Sequence, residues 1–284
     1  MSHHPFRGAR FGRSLLPFAL PFLLVLSASP ARADVSLRFT LHDAKGELDA
    51  EPLVLVKPGM ALLRENPEKK KRELLYQQAN RAFIIVDHKH RRVTTVNEQS
   101  VVNLVDQAQQ MFGMMKGVSD QLALLPPEQR AKVENLLGGI PSPKSSGKSA
   151  PAIQKLSPAG QGNVAGLPCR RYQATGPGGP KADLCLANAT EARVAAADAA
   201  TLRDMQALAL KLAREAAPVA DKLDLNVPTL GNVKLDGILL ALRDLSGANG
   251  FDLNLAELKT EPVDELPLRV PEDYQPRQLS IFGH

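Results

Sequence analysis

Six short segments rich in branched and aromatic residues fill the chain between Val35 and Asn97, and turn-forming residues separate them. Such runs are typical of β-strands. Three of the separations, Ala44–Gly46, Lys57–Gly59 and Asp87–His90, are short enough for hairpins. The pattern predicts an antiparallel meander. Its strands are VSLRFTLHD, PLVLVKPG, MALLREN, RELLYQQ, AFIIVDH and RRVTTVN.

The hydrophobic period then changes from that of a strand to that of a helix. Apolar residues recur at spacings of three and four, which places them on one helical face. They are Val101, Leu104, Val105, Ala108, Met111, Phe112, Met115 and Val118. The spacing predicts a long amphipathic helix, and a shorter one could run from Pro126 to Gly138. The methionine-rich face has two interpretations, an ordinary core contact or an adaptable lining for an apolar ligand.

The rest of the chain combines a flexible segment with further elements. Residues 139–164 are rich in Gly, Pro, Ser and Lys, which predicts a linker in which AIQKL could form one strand. Thr201 and Asp204 have the spacing of a capping box, which predicts a helix to about Ala216. GILLALRDL, FDLNLAELKT and ELPLRVP are strand-like, with residues 246–250 as a turn.

The first 33 residues have the order of a secretory signal peptide: an arginine-containing start without acids, an apolar run, and Ala31-Arg32-Ala33. We expect cleavage after Ala33, export to the periplasm and one mature domain, residues 34–284, without an integral membrane span. The chain has 35 basic and 30 acidic residues. Four of the arginines precede residue 34, so the expected mature chain keeps 31 basic and 30 acidic residues. This balance and the scarcity of aromatic residues argue against nucleic acid as a partner.

Both cysteines lie in the stretch CRRYQATGPGGPKADLC, which reads as a hairpin with a glycine–proline turn. In an oxidising compartment, two cysteines on facing strands predict a structural disulfide between Cys169 and Cys185. Placing these two directly opposite each other also pairs Arg171 with Asp183. That register puts the disulfide on the polar face of the hairpin.

We find no recognisable catalytic motif, so we expect no enzyme, no cofactor and no metal. Asp87, His88 and His90 could supply at most half of a metal site, and a solvated turn is the favoured interpretation. The charged run Glu68–Glu73 could contact acidic lipid headgroups or form a solvated hairpin tip.

Four features carry a resemblance to a known family. They are NVAGLPCRRY at residues 163–172, LCLA at 184–187, the helix near Thr201, and LRVPEDY at 268–274. Together they resemble an exported bacterial family identified only as domain of unknown function 4412. Its layout is similar to the LolA-like periplasmic lipoprotein carriers. The resemblance implies an α+β fold, a curved antiparallel half barrel covered on its concave side by amphipathic helices, and offers no catalytic residues.

A half barrel covered by apolar helices would enclose a cavity, and apolar cavities commonly hold hydrophobic ligands. The sequence therefore predicts a non-catalytic periplasmic protein that binds or carries a lipid, a lipidated protein or a similar apolar ligand. The candidate lining residues are Val105, Ala108, Met111, Phe112 and Met115. The alternative is an envelope protein–protein interaction or stress-sensing module without a ligand pocket. The oligomeric state is left open.

Overall fold

A single open β-sheet dominates the computed structural model, which describes residues 34–66, 71–126, 153, 155–222, 233–245 and 250–280. These residues all belong to one compact unit. The fold is α+β, with a large curved antiparallel sheet and two long helices, α1 (Glu98–Ala123) and α2 (Ala196–Lys222). The strands are β1 Val35–His42, β2 Leu48–Ala50, β3 Leu53–Lys57, β4 Met60–Arg64, β5 Arg72–Gln77, β6 Ala82–Asp87, β7 Arg92–Val96, β8 Lys155–Val164, β9 Leu167–Gly176, β10 Gly179–Ala187, β11 Ile238–Asp244, β12 Asp252–Thr260 and β13 Gln275–Arg277. Within these ranges, no helix is both long and apolar enough to cross a membrane.

The strand order is β13-β7-β6-β5-β4-β3-β1-β12-β11-β10-β9-β8, with β2 paired to β1. The six strands predicted before Asn97 and the three predicted hairpin turns are confirmed. β1 joins the two halves of the sheet, because it pairs with β3 on one side and with β12 on the other. β13 pairs with β7 in parallel, an exception to the antiparallel pattern.

Strands β3 to β6 carry buried residues on both faces, which explains why they read as continuous apolar runs instead of alternating ones. On one face, Val56 and Phe83 belong to the main hydrophobic cluster, which also includes apolar residues of α1 and α2. On the other face, Leu75 and Ile84 pack with Leu268, which lies in a short 3-10 helix, Leu266–Leu268. The C-terminal segment therefore packs on the face of these strands that lies opposite the main cluster.

In the C-terminal half, the predicted helix at Thr201–Ala216 is confirmed, but its predicted cap and the predicted strand at ELPLRVP are wrong. ELPLRVP contains the 3-10 helix instead of a strand, because Leu268 packs into the second cluster. α2 begins at Ala196, so Thr201 does not cap it. The buried Thr201 hydroxyl instead donates to the carbonyl of Ala197 at 3.0 Å and accepts the N–H of Gly59 at 2.8 Å.

The predicted linker is structured over its last ten residues, which form the edge strand β8. β8 has two features typical of edge strands: it contains a proline, Pro158, and its register with β9 is irregular between Pro158 and Gln161. Predictions for residues 127–152, which include the second helix and most of the linker, lie outside the described residues. The same holds for residues 246–249 of the predicted turn and for Glu68–Lys70.

The predicted disulfide is present, with an S–S distance of 2.03 Å and a Cα–Cα distance of 5.6 Å. The predicted register is wrong by two residues, because Arg171 lies opposite Cys185 and Gln173 opposite Asp183. The placement on a polar face is also wrong, since both cysteines are buried in the main cluster. A disulfide of this kind is typical of an exported protein.

Candidate binding surface on the first helix

The start of α1 is fixed by its own sequence. The Asn97 side chain accepts the backbone N–H of Ser100 at 2.9 Å, and the Ser100 hydroxyl accepts the N–H of Asn97 at 2.8 Å. This reciprocal capping satisfies two backbone donors that a helix leaves without intrahelical partners. The chain therefore changes from β7 to helix at a defined residue.

Glu98 in the first turn connects α1 to its neighbours. Its carboxylate contacts the Lys211 ammonium of α2 at 2.5 Å and the Arg81 guanidinium of the β5–β6 turn at 3.5 Å. The hydrogen bond from Lys211, with its positive charge and that of Arg81, holds the pKa of Glu98 below its usual range. A carboxylate also complements the positive end of the helix dipole. The N-terminus of α1 is thus positioned against both α2 and the sheet.

The first half of α1 packs into the protein core. Val101 and Ala108 are buried, and Val105 packs against the main cluster from a partly buried position. Two of the five predicted ligand-lining residues, Val105 and Ala108, therefore contact the core. This part of the helix fixes its orientation.

The second half of α1 combines partly buried and exposed apolar residues. Met111, Phe112 and Met115 are partly buried. Met114 is 68% exposed, Val118 44% and Leu124 86%. Six large hydrophobic residues are exposed in the described ranges, and four of them, these three and Val102, lie on α1 or at its C-cap. We call the stretch Met111–Leu124 the apolar surface of α1.

Three cavities lined by described residues lie apart from this surface. The first, about 480 Å³, lies between the β5–β6 turn and α2 and includes Arg81, Asp204 and Lys211 in its wall. The second, about 620 Å³, is lined mainly by charged residues near the β6–β7 turn, and the third, about 430 Å³, lies beside Tyr172. Met111, Phe112 and Met115 are not in the walls of these three cavities. The apolar surface of α1 and these cavities are separate features.

In the turn formed by Asp87, His88 and His90, the two histidines have different environments. His88 lies in the predicted turn, but its side chain is partly buried: its Nε2 is 3.0 Å from Glu73 Oε2 and its Nδ1 is 2.8 Å from the Tyr274 hydroxyl. His90 lies outside this network and bonds to Asp87 at 2.9 Å. No group of three or more potential His, Cys, Asp or Glu ligands occurs within the described ranges.

Glu73 is the residue that sequence analysis missed in this network. It is buried, not part of a solvated tip, and its Oε1 lies 2.5 Å from Arg64 Nε. Arg64 and Glu73 are directly opposite on β4 and β5. The opposite charges on facing strands of the predicted hairpin were the available signal. The network attaches Tyr274, the last residue of the LRVPEDY motif, to the sheet.

No family model matches the chain, and no curated protein matches it. Among solved structures, PNGF-II is 9% identical with a TM-score of 0.39, covering 87% of this chain and 31% of its own. An uncharacterized conserved protein from Thermus thermophilus is 8% identical with a TM-score of 0.38, and the match covers 88% of this chain and 91% of that protein. The MucA/MucB complex of Pseudomonas aeruginosa is 11% identical with a TM-score of 0.35, and the match covers 86% of this chain and 58% of that chain.

The chain spans 31% of the length of the PNGF-II chain that it matches. At such low identity and structural overlap, none of the three indicates what this chain binds. The resemblance to domain of unknown function 4412 therefore rests on the sequence motifs alone.

Proposed function

We propose that this protein is a non-catalytic periplasmic protein that binds an apolar ligand, such as a lipid or the acyl chain of a lipidated protein, at the apolar surface of α1. The observation that carries the proposal is the exposure of Met114, Val118 and Leu124 on a helix whose other half is packed into the core. Exposed apolar patches on soluble proteins commonly mark binding surfaces. We also propose that sheet and helices form a LolA-like half barrel, with the helices on its concave side.

The residue types on this surface suit a ligand of variable shape. Methionine has three rotatable side-chain bonds and a polarisable sulfur, so it adapts to different apolar partners. Gly113 and Gly117 have no atoms within 4 Å of the position that a Cβ would occupy, so they open space along the helix. The anchored N-terminal half would hold the surface in place while the C-terminal half adjusts to the ligand.

A protein–protein interaction is the second candidate. It is favoured by the outward position of Leu124 and Met114, which lie outside the walls of the three described cavities. A protein partner would cover such a surface without needing a pocket. Photo-crosslinking from position 114 in cells would favour this function if it captured one dominant protein and no lipid.

Native mass spectrometry of the protein purified from the periplasm, followed by solvent extraction, tests the apolar-ligand proposal. We expect co-purifying lipid in the wild-type protein and little in the Met111→Gln/Met115→Gln variant, because glutamine is similar in length but polar. The matched control is Leu48→Gln, which removes an exposed apolar residue on β2. Repeated recovery of ligand-free wild-type protein, or equal lipid loss in the control, would overturn the proposal.

A further inference from the structure

Three thioether side chains lie next to one another on the exposed half of α1. Met111, Met114 and Met115 occupy positions i, i+3 and i+4 of a continuous helix. At 3.6 residues per turn these positions span an arc of about 100°. Residues three and four apart have Cβ atoms about 5–6 Å from each other. Met111 is therefore a helical neighbour of both Met114 and Met115, and rotation of their side chains can turn the three sulfur atoms toward one ion.

The direction of helical side chains lets residues three and four positions apart meet. Long side chains in a helix lean toward its N-terminus, over the residues three and four positions earlier. We therefore expect Met114 and Met115 to extend toward the turn that carries Met111. Each methionine has enough rotatable bonds to turn its sulfur toward a shared ligand.

The cluster is accessible from solvent. Met114 is 68% exposed, and Met111 and Met115 are only partly buried at the boundary between the core-facing and outer sides of the helix. A small ion could reach the three sulfurs without opening the core. The neighbouring Gly113 adds no side chain that would block the approach.

No free thiolate competes with these thioethers for a metal ion, because both cysteines of the sequence are oxidised. The sequence has two cysteines, and both are joined in the disulfide. In an oxidising compartment thiols are consumed in disulfides, whereas thioethers remain available as soft ligands. Soft thioether ligands select soft metal ions such as Cu(I) over hard, oxygen-seeking cations.

We propose that Met111, Met114 and Met115 form a binding site for one soft monovalent cation of the Cu(I) and Ag(I) class. The site goes beyond apolar-ligand binding, since it depends on sulfur lone pairs and not on hydrophobic area. A bound cation would place positive charge on the apolar surface of α1. Metal binding and apolar-ligand binding at this surface would therefore oppose each other.

Titration with Ag(I), followed by native mass spectrometry, tests the site on the complete mature protein. Ag(I) needs no reductant, so the disulfide stays intact during the experiment. We expect one tightly bound silver ion in the wild-type protein and its loss in Met111→Leu/Met114→Leu/Met115→Leu. Leucine replaces methionine with little change in volume and at a small cost in stability, and circular dichroism verifies that the variant is folded.

Two control variants exclude other sites. Met60→Leu removes a thioether on β4 and His90→Gln an exposed imidazole, and both should retain the silver ion. Absence of stoichiometric silver in the wild-type protein, or its retention in the triple leucine variant, would overturn the proposal. The leucine variant keeps the apolar surface, so it should still bind lipid. Failure of the metal site is thus distinguishable from failure of the proposed function.

Discussion

Glu73 connects two distant parts of the chain through a single carboxylate. It accepts a hydrogen bond from Arg64 on β4 and pairs with His88, which in turn contacts Tyr274 near the C-terminus. Arg91 and Asp273 form a further ion pair beside them, and the Arg91 guanidinium lies 6.0 Å from the centre of the Tyr274 ring. Polar contacts therefore hold the C-terminal segment against the β6–β7 hairpin, beside the apolar contact of Leu268.

Replacing Glu73 by alanine should destabilise the protein by about 3 kcal/mol, because it leaves the Arg64 charge without its buried partner. Urea denaturation would measure the free energy of unfolding. Glu257→Ala is the matched control, since Glu257 pairs with Lys259 at 3.0 Å but both side chains are about half exposed. The control should change stability by less than about 0.5 kcal/mol. Equal effects in the two variants would contradict the structural role of Glu73.

Asp87 should titrate below its ordinary range. The side-chain hydrogen bond from His90 is the main cause of the lowered pKa, helped by the His90 backbone N–H and the charge of Arg72. Because the folded-state pKa is below the unfolded value, this contribution to stability is present above the unfolded pKa and is lost as the pH falls through the folded pKa. His90→Gln should raise the pKa of Asp87 in a carboxyl NMR titration. An unchanged value would show that His90 is not the cause.

At the scale of elements, the β9–β10 hairpin shows what a sequence pattern can and cannot determine. The two cysteines and the alternation of faces predicted the disulfide correctly. The register was wrong because Gly178 and Gly179 adopt positive φ and make a tighter turn, and an irregularity between Pro180 and Ala182 shifts the pairing further. Neither a turn geometry nor a bulge follows from alternation of residue types alone.

Removing the disulfide should lower stability by about 3 kcal/mol, the value expected for closing a loop of this length. The variant is Cys169→Ala/Cys185→Ala, whose residues are separated by 16 positions. Chemical denaturation of the oxidised wild type, the reduced wild type and the variant would give the comparison. The reduced protein and the variant should be destabilised to a similar extent. A stability equal to that of the oxidised wild type would contradict a structural disulfide.

The glycines of α1 should make its exposed half less stable than it could be. Gly113→Ala/Gly117→Ala should raise the thermal midpoint, because each glycine in a helix costs about 0.5–1 kcal/mol relative to alanine and nothing within 4 Å obstructs a Cβ. Circular dichroism would follow the transition. Gly237→Ala is a control of opposite sign, since its φ is +144° and its Cβ would lie 2.8 Å from the Ala187 carbonyl oxygen. Destabilisation by the α1 substitutions would contradict an open helix face.

At the scale of the whole molecule, the sequence predicted the two halves of the sheet but not how they join. Local patterning determines hairpins, whereas the pairing of Val35 with Thr260 brings together residues far apart in the chain. Nothing in β1 alone distinguishes this partner from another strand of similar composition. The parallel pair of β13 with β7 is equally non-local, and its three residues are too short for a recognisable strand pattern.

The candidate surface was predictable in its composition but not in its exposure. The helical spacing of Met111, Phe112 and Met115 was visible in the sequence, and the helix is confirmed. Which half of α1 packs into the core depends on residues far away in the sequence, since Val101 joins Phe83 of β6 and Leu208 of α2 in the main cluster only in the folded chain. Whether the apolar surface holds a ligand stays a prediction.

Methyl NMR of protein labelled at its methionines tests ligand binding at this surface most directly. Besides the initiator, the sequence contains three methionines on the exposed half of α1, together with Met60 on β4 and the buried Met205 on α2. Upon addition of oleate below its micelle concentration, we predict saturable shifts of the Met111, Met114 and Met115 signals, with Met60 and Met205 unchanged. Unchanged signals from all three α1 methionines, or equal shifts at Met60, would contradict a ligand-binding surface on α1.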